Sequence, residues 1–343
     1  MIRREPNSAI LDVVAFMRQR LWGRLASPNK LLLVVLLIGL TPLACGSDSA
    51  GPEVMQGGLT PMDFPLDFAP DGLSFAYAHV AMAGESTGIY VKALHPDSLP
   101  RFLFAYSPES ADPSELKFAP DGHTLAIVRN GFEDIELVDL GTGLHKRLTY
   151  TNGNAKGPDW NPQGDFLVYE RPFKAYGQPD TSAGLFIVAA DASYDRPILQ
   201  GTKPTYGGWA KWSPDSTRIC YGYGSPTHIF VVGPDGSGLV DLTPSDNRMN
   251  EEPIWLTDSI ILYQSYDASR KRRRTRSIVL PGTQISDWTP DVRPFGMPSI
   301  VSRTSRVFVF MGPDPTGKFV VLYSQHVDDK IGASRTQVTF VPP

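Results

Sequence analysis

Six cations stand close together in the C-terminal part of the chain, where they could bind an anion. They are Arg270, Lys271, Arg272, Arg273, Arg274 and Arg276. Such a cluster could hold an acidic protein patch, lipid phosphates or an anionic polysaccharide. Because like charges repel, the run is predicted to be an extended, solvated loop. Such a loop is equally consistent with having no partner. The sequence leaves both interpretations open.

Residue spacings typical of catalytic or metal centres are absent from the sequence. The six histidines show no ligand spacing, and no H-E-x-x-H, G-x-S-x-G, Walker or C-x-x-C motif occurs. Cys220 lies in the apolar stretch TRICYGY and is predicted to be a small buried hydrophobic residue rather than a catalytic thiol. We therefore predict no catalytic residue, no metal and no cofactor. A site assembled from several distant segments stays open.

A repeated motif organises the chain from residue 63 onward. Its copies are FAPDG at 68–72 and 118–122, WNPQG at 160–164, WSPDS at 212–216, WLTDS at 255–259 and VSRTS at 301–305. The step between copies averages about 47 residues, the length of one four-stranded blade of a β-propeller. Runs such as TLAIV, FLVYE and IFVVG follow the motif, as expected for strands. The sequence predicts an all-β, six-bladed propeller over residues 63–343.

Each position of the motif has a mechanical explanation. The aromatic residue closes an inner strand and packs against the next blade, and Pro ends the strand. In the turn, Asp bonds its own backbone and Gly adopts a positive φ. The turn residues are Asp71, Gly72, Asp121, Gly122 and Asp215. These aspartates are therefore interpreted as structural rather than catalytic.

The residue before each aromatic alternates in charge from one repeat to the next. In order, these residues are Asp67, Lys117, Asp159 and Lys211. They could line a charged channel, but ion pairing between neighbouring blades is the favoured interpretation.

The repeats resemble those of a known propeller family. The order aromatic-x-P-D-G, strand, IYV and then RLT is similar to the repeats of TolB-type (PD-repeat, WD40-like) periplasmic proteins and to the propeller domain of prolyl oligopeptidases. Only about 18 residues lie between Cys45 and the first repeat, so the resemblance covers the propeller alone. It implies a fold rather than one function, because propellers host many activities.

The N-terminus is predicted to be an export signal. The apolar run 31–40 is shorter than the about 20 residues of a membrane span and follows a basic segment. The stretch LAC at 43–45 resembles the lipobox of bacterial lipoproteins, which implies lipid on Cys45. We predict a signal peptide at 1–44, a flexible tether at 45–62 and a membrane-anchored protein. Met17 is an alternative start to Met1.

Charge and composition limit the possible partners. The formal net charge is −4, and without residues 1–44 the chain has 26 basic and 34 acidic residues, a net charge of −8. This balance argues against nucleic-acid binding. We predict a monomeric propeller.

Long loops on one face of the propeller are the predicted binding surface, because binding residues concentrate on loops held by a rigid scaffold. The aromatic candidates there are Phe173, Tyr176, Tyr206 and Trp209. The sequence thus predicts an exported bacterial cell-envelope lipoprotein that binds an envelope protein or an anionic polymer. The alternative is a propeller enzyme, a lyase or hydrolase, that acts on a glycan or lactone.

Overall fold

The computed structural model describes most of the chain after residue 61. The described residues are 62–80, 87–105, 115–128, 134–151, 155–171, 184–200, 208–269, 272–281, 284–287, 298–302, 307–313, 320–326 and 336–337. The predicted signal peptide, the tether up to residue 61 and Cys45 lie outside them, so those predictions stay predictions. Within these ranges, no helix has the length and hydropathy of a membrane span.

The described segments fold into antiparallel sheets whose strands follow one another in chain order. Blade 2 contains β5 (Leu116–Phe118), β6 (Thr124–Val128), β7 (Ile135–Asp139) and β8 (His145–Arg147). Blade 3 contains β9 (Lys156–Trp160), β10 (Phe166–Arg171), β11 (Gly184–Ala189) and β12 (Asp195–Gln200). Blade 4 contains β13 (Gly208–Trp212), β14 (Ile219–Tyr223), β15 (His228–Val232) and β16 (Val240–Asp241). Blade 5 contains β17 (Met249–Thr257), β18 (Ile260–Asp267), β19 (Arg272–Val279) and β20 (Gln284–Asp287).

Blade 1 is a larger sheet that joins both ends of the repeat array. It contains β1 (Met62–Phe68), β2 (Ser74–Val80), β3 (Gly88–Ala93) and β4 (Arg101–Ala105). It also contains β21 (Pro298–Ser302), β22 (Val307–Pro313), β23 (Val320–His326) and β24 (Thr336–Gln337). Parallel pairing of Met62 with Val320 joins the two sets into one eight-stranded sheet.

The prediction of six blades is therefore wrong. The described residues form five blades, four of four strands and one of eight. The number of motif copies gives the number of repeats in the sequence. The first and last repeats share one sheet because β1 pairs with β23, and this pairing depends on how the two ends of the chain meet in space. The predicted all-β propeller built from four-stranded units is otherwise what the structure shows.

Apolar side chains fill the boundaries between blades. Val168 and Ile187 of blade 3, for example, pack with Trp212 and Ile219 of blade 4. The first strands contact one another in the order β21, β1, β5, β9, β13, β17, so they surround the axis of the propeller. Blades 3 and 4 are thus held together by shared apolar packing across their boundary.

The propeller has two distinct faces. The loop face is where the innermost strands begin, and it carries the segments 224–227, 242–248 and 268–269. The turn face is where the innermost strands end, and it carries the motif turns at 70–73 and 120–123.

Aspartate side chains shape the tight turns of the turn face. Asp71 Oδ1 accepts hydrogen bonds from the backbone N–H groups of Leu73 and Ser74 at 2.8 and 2.9 Å. Gly72 and Gly122 have φ values of 67° and 71°, a region that favours glycine. The turn at Asp215 contains Ser216 with a φ of 59° in place of the glycine.

Candidate functional site

Two glutamates at the loop face link neighbouring blades close to the axis. Glu115 Oε2, just before β5, accepts a hydrogen bond from the backbone N–H of Gly157 in β9 at 2.6 Å. Glu170 Oε1, near the end of β10, accepts one from the backbone N–H of Ala210 in β13 at 3.0 Å. Each carboxyl group accepts a hydrogen bond from the neighbouring blade, so both lie where the innermost strands begin.

Glu170 lies in a confined position. It is directly opposite Lys156 in the β9–β10 pair. A Cβ atom on Gly208 would lie 2.3 Å from Glu170 Oε2, so the glycine makes room for the carboxylate. Burial raises the pKa of Glu170 to about 7, the hydrogen bond from Ala210 opposes this, and the charge of Glu115 adds to it. A carboxyl group that titrates near neutral pH can act as a general acid or base.

A second layer of charges lies closer to the turn face. Lys117 Nζ is 2.8 Å from Asp67 Oδ1, and Lys211 Nζ is 3.9 Å from Asp159 Oδ1. The other oxygen of each aspartate accepts a hydrogen bond at 2.9 Å from the backbone N–H of the aromatic residue that follows the lysine. The predicted ion pairing between blades is therefore confirmed for these four residues.

Two histidines near the loop face pair with carboxylates. His79 Nδ1 lies 2.7 Å from Asp63 Oδ1, and His228 Nδ1 lies 2.8 Å from Asp241 Oδ2. Among the residues that the structure describes, no three His, Cys, Asp or Glu side chains are grouped to hold a metal ion. Cys220 is fully buried, as predicted.

An open groove of about 770 Å³ lies at the loop face between blades 4 and 5. It is lined by residues 242–248 of the connection between these blades, by 267–269 at the end of β18, and by Arg276 and Ile285. We call it the blade 4–5 groove.

Ion pairs run across the blade 4–5 groove. Asp246 Oδ2 is 3.6 Å from Arg248 Nη1 and 3.2 Å from Arg276 Nη1, and Arg248 Nε is 3.8 Å from Asp267 Oδ2. Two arginines are thus balanced by two aspartates. The groove offers fixed donors and acceptors without a net charge from these four side chains.

The cationic run begins a strand instead of forming the predicted extended loop. Arg272 starts β19, where it pairs with Asp267 of β18, so the loop prediction is wrong for residues 272–276. Arg274 forms an ion pair with Asp287, and Arg276 Nε lies 3.1 Å from Asp287 Oδ1. These carboxylates remove the repulsion that suggested a loop. Arg270 and Lys271 are outside the described residues, as are the side chains of Arg272 and Arg273.

The predicted aromatic surface is described only at Trp209. This residue lies in β13, is partly buried and has a φ of 58°. Phe173, Tyr176 and Tyr206 lie outside the described residues.

Several polar residues of the loop face were not singled out from the sequence. Glu115 and Glu170 belong to no motif, and each acquires its role only next to another blade. A charged or amide residue inside a strand-like run, such as Glu170 in FLVYE, is the one local signal that could have drawn attention to them.

Comparisons with known proteins show the fold. No known protein-family profile matches the chain, and no curated protein matches it. An oligogalacturonate lyase solved in complex with manganese is 17% identical with a TM-score of 0.57, over 81% of this chain and 77% of the lyase. A putative TolB from Agrobacterium tumefaciens is 19% identical with a TM-score of 0.52, over 68% of this chain and 82% of that protein.

A TolB from Acinetobacter baumannii is 14% identical with a TM-score of 0.55. The match covers 78% of this chain and 61% of that protein. The structural neighbours of the chain thus include TolB-type β-propellers. At these identities the likeness concerns the fold and leaves the activity of the chain open.

Proposed function

We propose that the mature protein is a bacterial cell-envelope lipoprotein whose loop face binds a partner protein or polymer. This proposal rests on the concentration of polar groups on the loop face. The blade 4–5 groove opens on that face, and the two glutamates near the axis lie there as well. The turn face consists instead of short turns whose aspartates accept hydrogen bonds from backbone N–H groups of the same turn, as at Asp71 and Asp121. A rigid scaffold that presents polar loop residues on one face is typical of a binding module.

The anchor in this proposal is lipid on Cys45, which the N-terminal sequence pattern supports. A basic segment close to the membrane adds electrostatic attraction to anionic lipids. The cations at 270–273 would supply such a segment, since Arg274 and Arg276 already have carboxylate partners. β1 also begins at the loop face, so the tether joins the propeller on that side.

Replacing Arg270, Lys271, Arg272 and Arg273 by Ser is expected to weaken association with isolated envelope membranes at least tenfold at low salt. Each cation near an anionic surface contributes about 1 kcal/mol. The difference from the natural chain should vanish near 1 M salt, where the Debye length is about 3 Å. Sedimentation with membranes at a series of salt concentrations measures this effect.

The controls separate the anchor from the cationic run. A Cys45→Ala variant should be released from the membranes at every salt concentration. Replacing Arg196 and Arg218, which bond backbone carbonyl groups at the turn face, should leave the salt dependence unchanged. Equal association of the natural chain and the Ser variant at low salt would contradict the role of the run.

A second candidate function is catalysis on a glycan or lactone, and Glu170 is the observation that favours it. Its carboxyl group titrates near pH 7 at the mouth of the axis, beside Glu115 and opposite Lys156. Such a group could transfer a proton to or from a bound substrate. Product release from an oligosaccharide that requires the Glu170 carboxyl group would support this function over binding alone.

A further inference from the structure

The innermost strand of blade 4, β13, begins with a bulge at the loop face. The two residues between Gly208 and Lys211 lie opposite a single residue, Tyr221, of β14. Such a bulge takes backbone groups out of the regular pairing, so they need other partners. Ala210 belongs to this bulge, and its N–H donates to Glu170 Oε1 at 3.0 Å. A side chain of blade 3 therefore holds the start of β13.

The bulge also places Trp209 in a backbone conformation that suits glycine. Its φ is 58°, and a bulky residue at a positive φ is strained. The bulge of β9 has the same geometry three residues before its motif tryptophan, but there Gly157 occupies the position with a φ of 59°. Only β13 therefore places a large side chain at this position of the two strands. A strained segment persists only while its surroundings hold it in place.

The carboxyl group that holds this segment fits tightly between two glycines. A Cβ atom on Gly208 would lie 2.3 Å from Glu170 Oε2, and one on Gly157 would lie 3.3 Å from Glu170 Oε1. Glu115 accepts a hydrogen bond from the N–H of the same Gly157 at 2.6 Å, so two carboxyl groups meet at one residue. A negative charge on Glu170 would have little water around it and would be repelled by Glu115.

Charged groups act on Glu170 from three neighbouring segments. They are Glu115 before β5, Lys156 on β9 and Lys211 on β13, whereas β11 places the uncharged Leu185 opposite Glu170. Burial has the largest effect on the pKa of Glu170 and raises it, the hydrogen bond from β13 lowers it, Glu115 raises it, and the two lysines lower it less. Part of the Glu170 surface remains exposed, so protons reach it from the solvent.

We propose that the start of β13 is a conformational switch, which opens when the Glu170 carboxyl group loses its proton. In the closed state the neutral carboxyl group fits beside Gly208 and holds the strained Trp209. In the open state the charged carboxylate reaches water, and the backbone of Trp209 relaxes. Because the bulge lies at the loop face, opening changes the surface of that face. The closed state is the one favoured at low pH.

Amide hydrogen exchange of the purified full-length chain, resolved to single residues, tests the switch. Each exchange rate is divided by the intrinsic rate at the same pH. We expect the corrected rate of the Ala210 N–H to rise about tenfold from pH 6 to pH 8. This factor follows from a Glu170 pKa of about 7 in the closed state and the ordinary value of 4.5 in the open state. Glu170→Gln should abolish the rise, because glutamine has no proton to lose.

The N–H of Trp212 is the matched control within the same strand. It also donates to a carboxylate of blade 3, Asp159 Oδ2, at 2.9 Å, but it lies outside the bulge. Low concentrations of urea separate local opening from unfolding of the whole protein, because urea accelerates exchange in proportion to the surface that opening exposes. The Ala210 N–H should exchange faster than that of Trp212 and hardly respond to urea, whereas the Trp212 N–H should respond strongly.

Glu115→Gln tests the role of the second carboxyl group. Glutamine still accepts from the N–H of Gly157 but removes the neighbouring charge, so the rise at Ala210 between pH 6 and pH 8 should become smaller. Three outcomes would overturn the proposal. They are a corrected Ala210 rate that does not change with pH, a rise that persists in Glu170→Gln, and equal rates and urea responses at Ala210 and Trp212. The measurement needs no partner, so it is independent of the proposed binding function.

Discussion

Replacing Glu170 by Gln is expected to raise the free energy of unfolding at pH 8 by about 3 kcal/mol while changing it little at pH 4.5. In the folded protein, burial raises the pKa of Glu170 from 4.5 to about 7. Between these values the folded state holds a proton that the unfolded chain has released. The natural protein therefore loses stability as the pH rises through this window, and the loss is complete above pH 7.

Glutamine keeps the oxygen that accepts the hydrogen bond from Ala210 but carries no charge at any pH. Urea denaturation of both proteins from pH 4.5 to 8 measures the difference in unfolding free energy at each pH. Asp165→Asn is the control, since Asp165 is exposed at the turn face. A difference between the Glu170 variant and the natural protein that stays constant with pH would contradict a raised pKa of the Glu170 carboxyl group.

Replacing Asp134 by Ala is expected to lower the free energy of unfolding by about 3 kcal/mol. Asp134 is 1% exposed and forms an ion pair with Arg147. Its Oδ1 atom also accepts hydrogen bonds from Thr149 Oγ1 at 3.0 Å and from the backbone N–H and Oγ1 of Thr151 at 2.7 Å each. Burial alone would raise the pKa of Asp134, but these bonds hold it below its ordinary value.

The loss follows because alanine leaves these donors unpaired in a buried region. Asp139→Ala is the matched control, since Asp139 accepts a similar set of bonds from Gly141 and Thr142 at an exposed turn. Its replacement should cost much less. Denaturation midpoints in urea compare the two variants, and equal losses would show that the Asp134 network contributes no more than a surface turn.

The strands could be predicted from the sequence because their pattern is local. The run TLAIV coincides with β6 (Thr124–Val128), and FLVYE gives all but the last residue of β10 (Phe166–Arg171). The joining of β1 with β23 could not be predicted, since the pairing of Met62 with Val320 links residues from opposite ends of the array. The number of separate blades depends on that single contact.

The candidate site was less accessible to sequence reasoning. The cationic run attracted attention because its charges are adjacent in the chain, yet Arg274 and Arg276 are neutralised by Asp246 and Asp287, which lie 11 or more residues away. Conversely, Gly208 looks ordinary in the sequence. The room it makes for the Glu170 carboxyl group follows only from the packing of blade 4 against blade 3.

Photo-crosslinking in intact envelopes tests the central claim, that the loop face is the binding face, most directly. A photoreactive residue is placed at Ser269, which lines the blade 4–5 groove, or at Ser237, which is exposed in a turn of the opposite face. We predict cross-linked products from position 269 and none from position 237. Products from position 237 with none from position 269 would place the functional surface on the turn face and contradict the account.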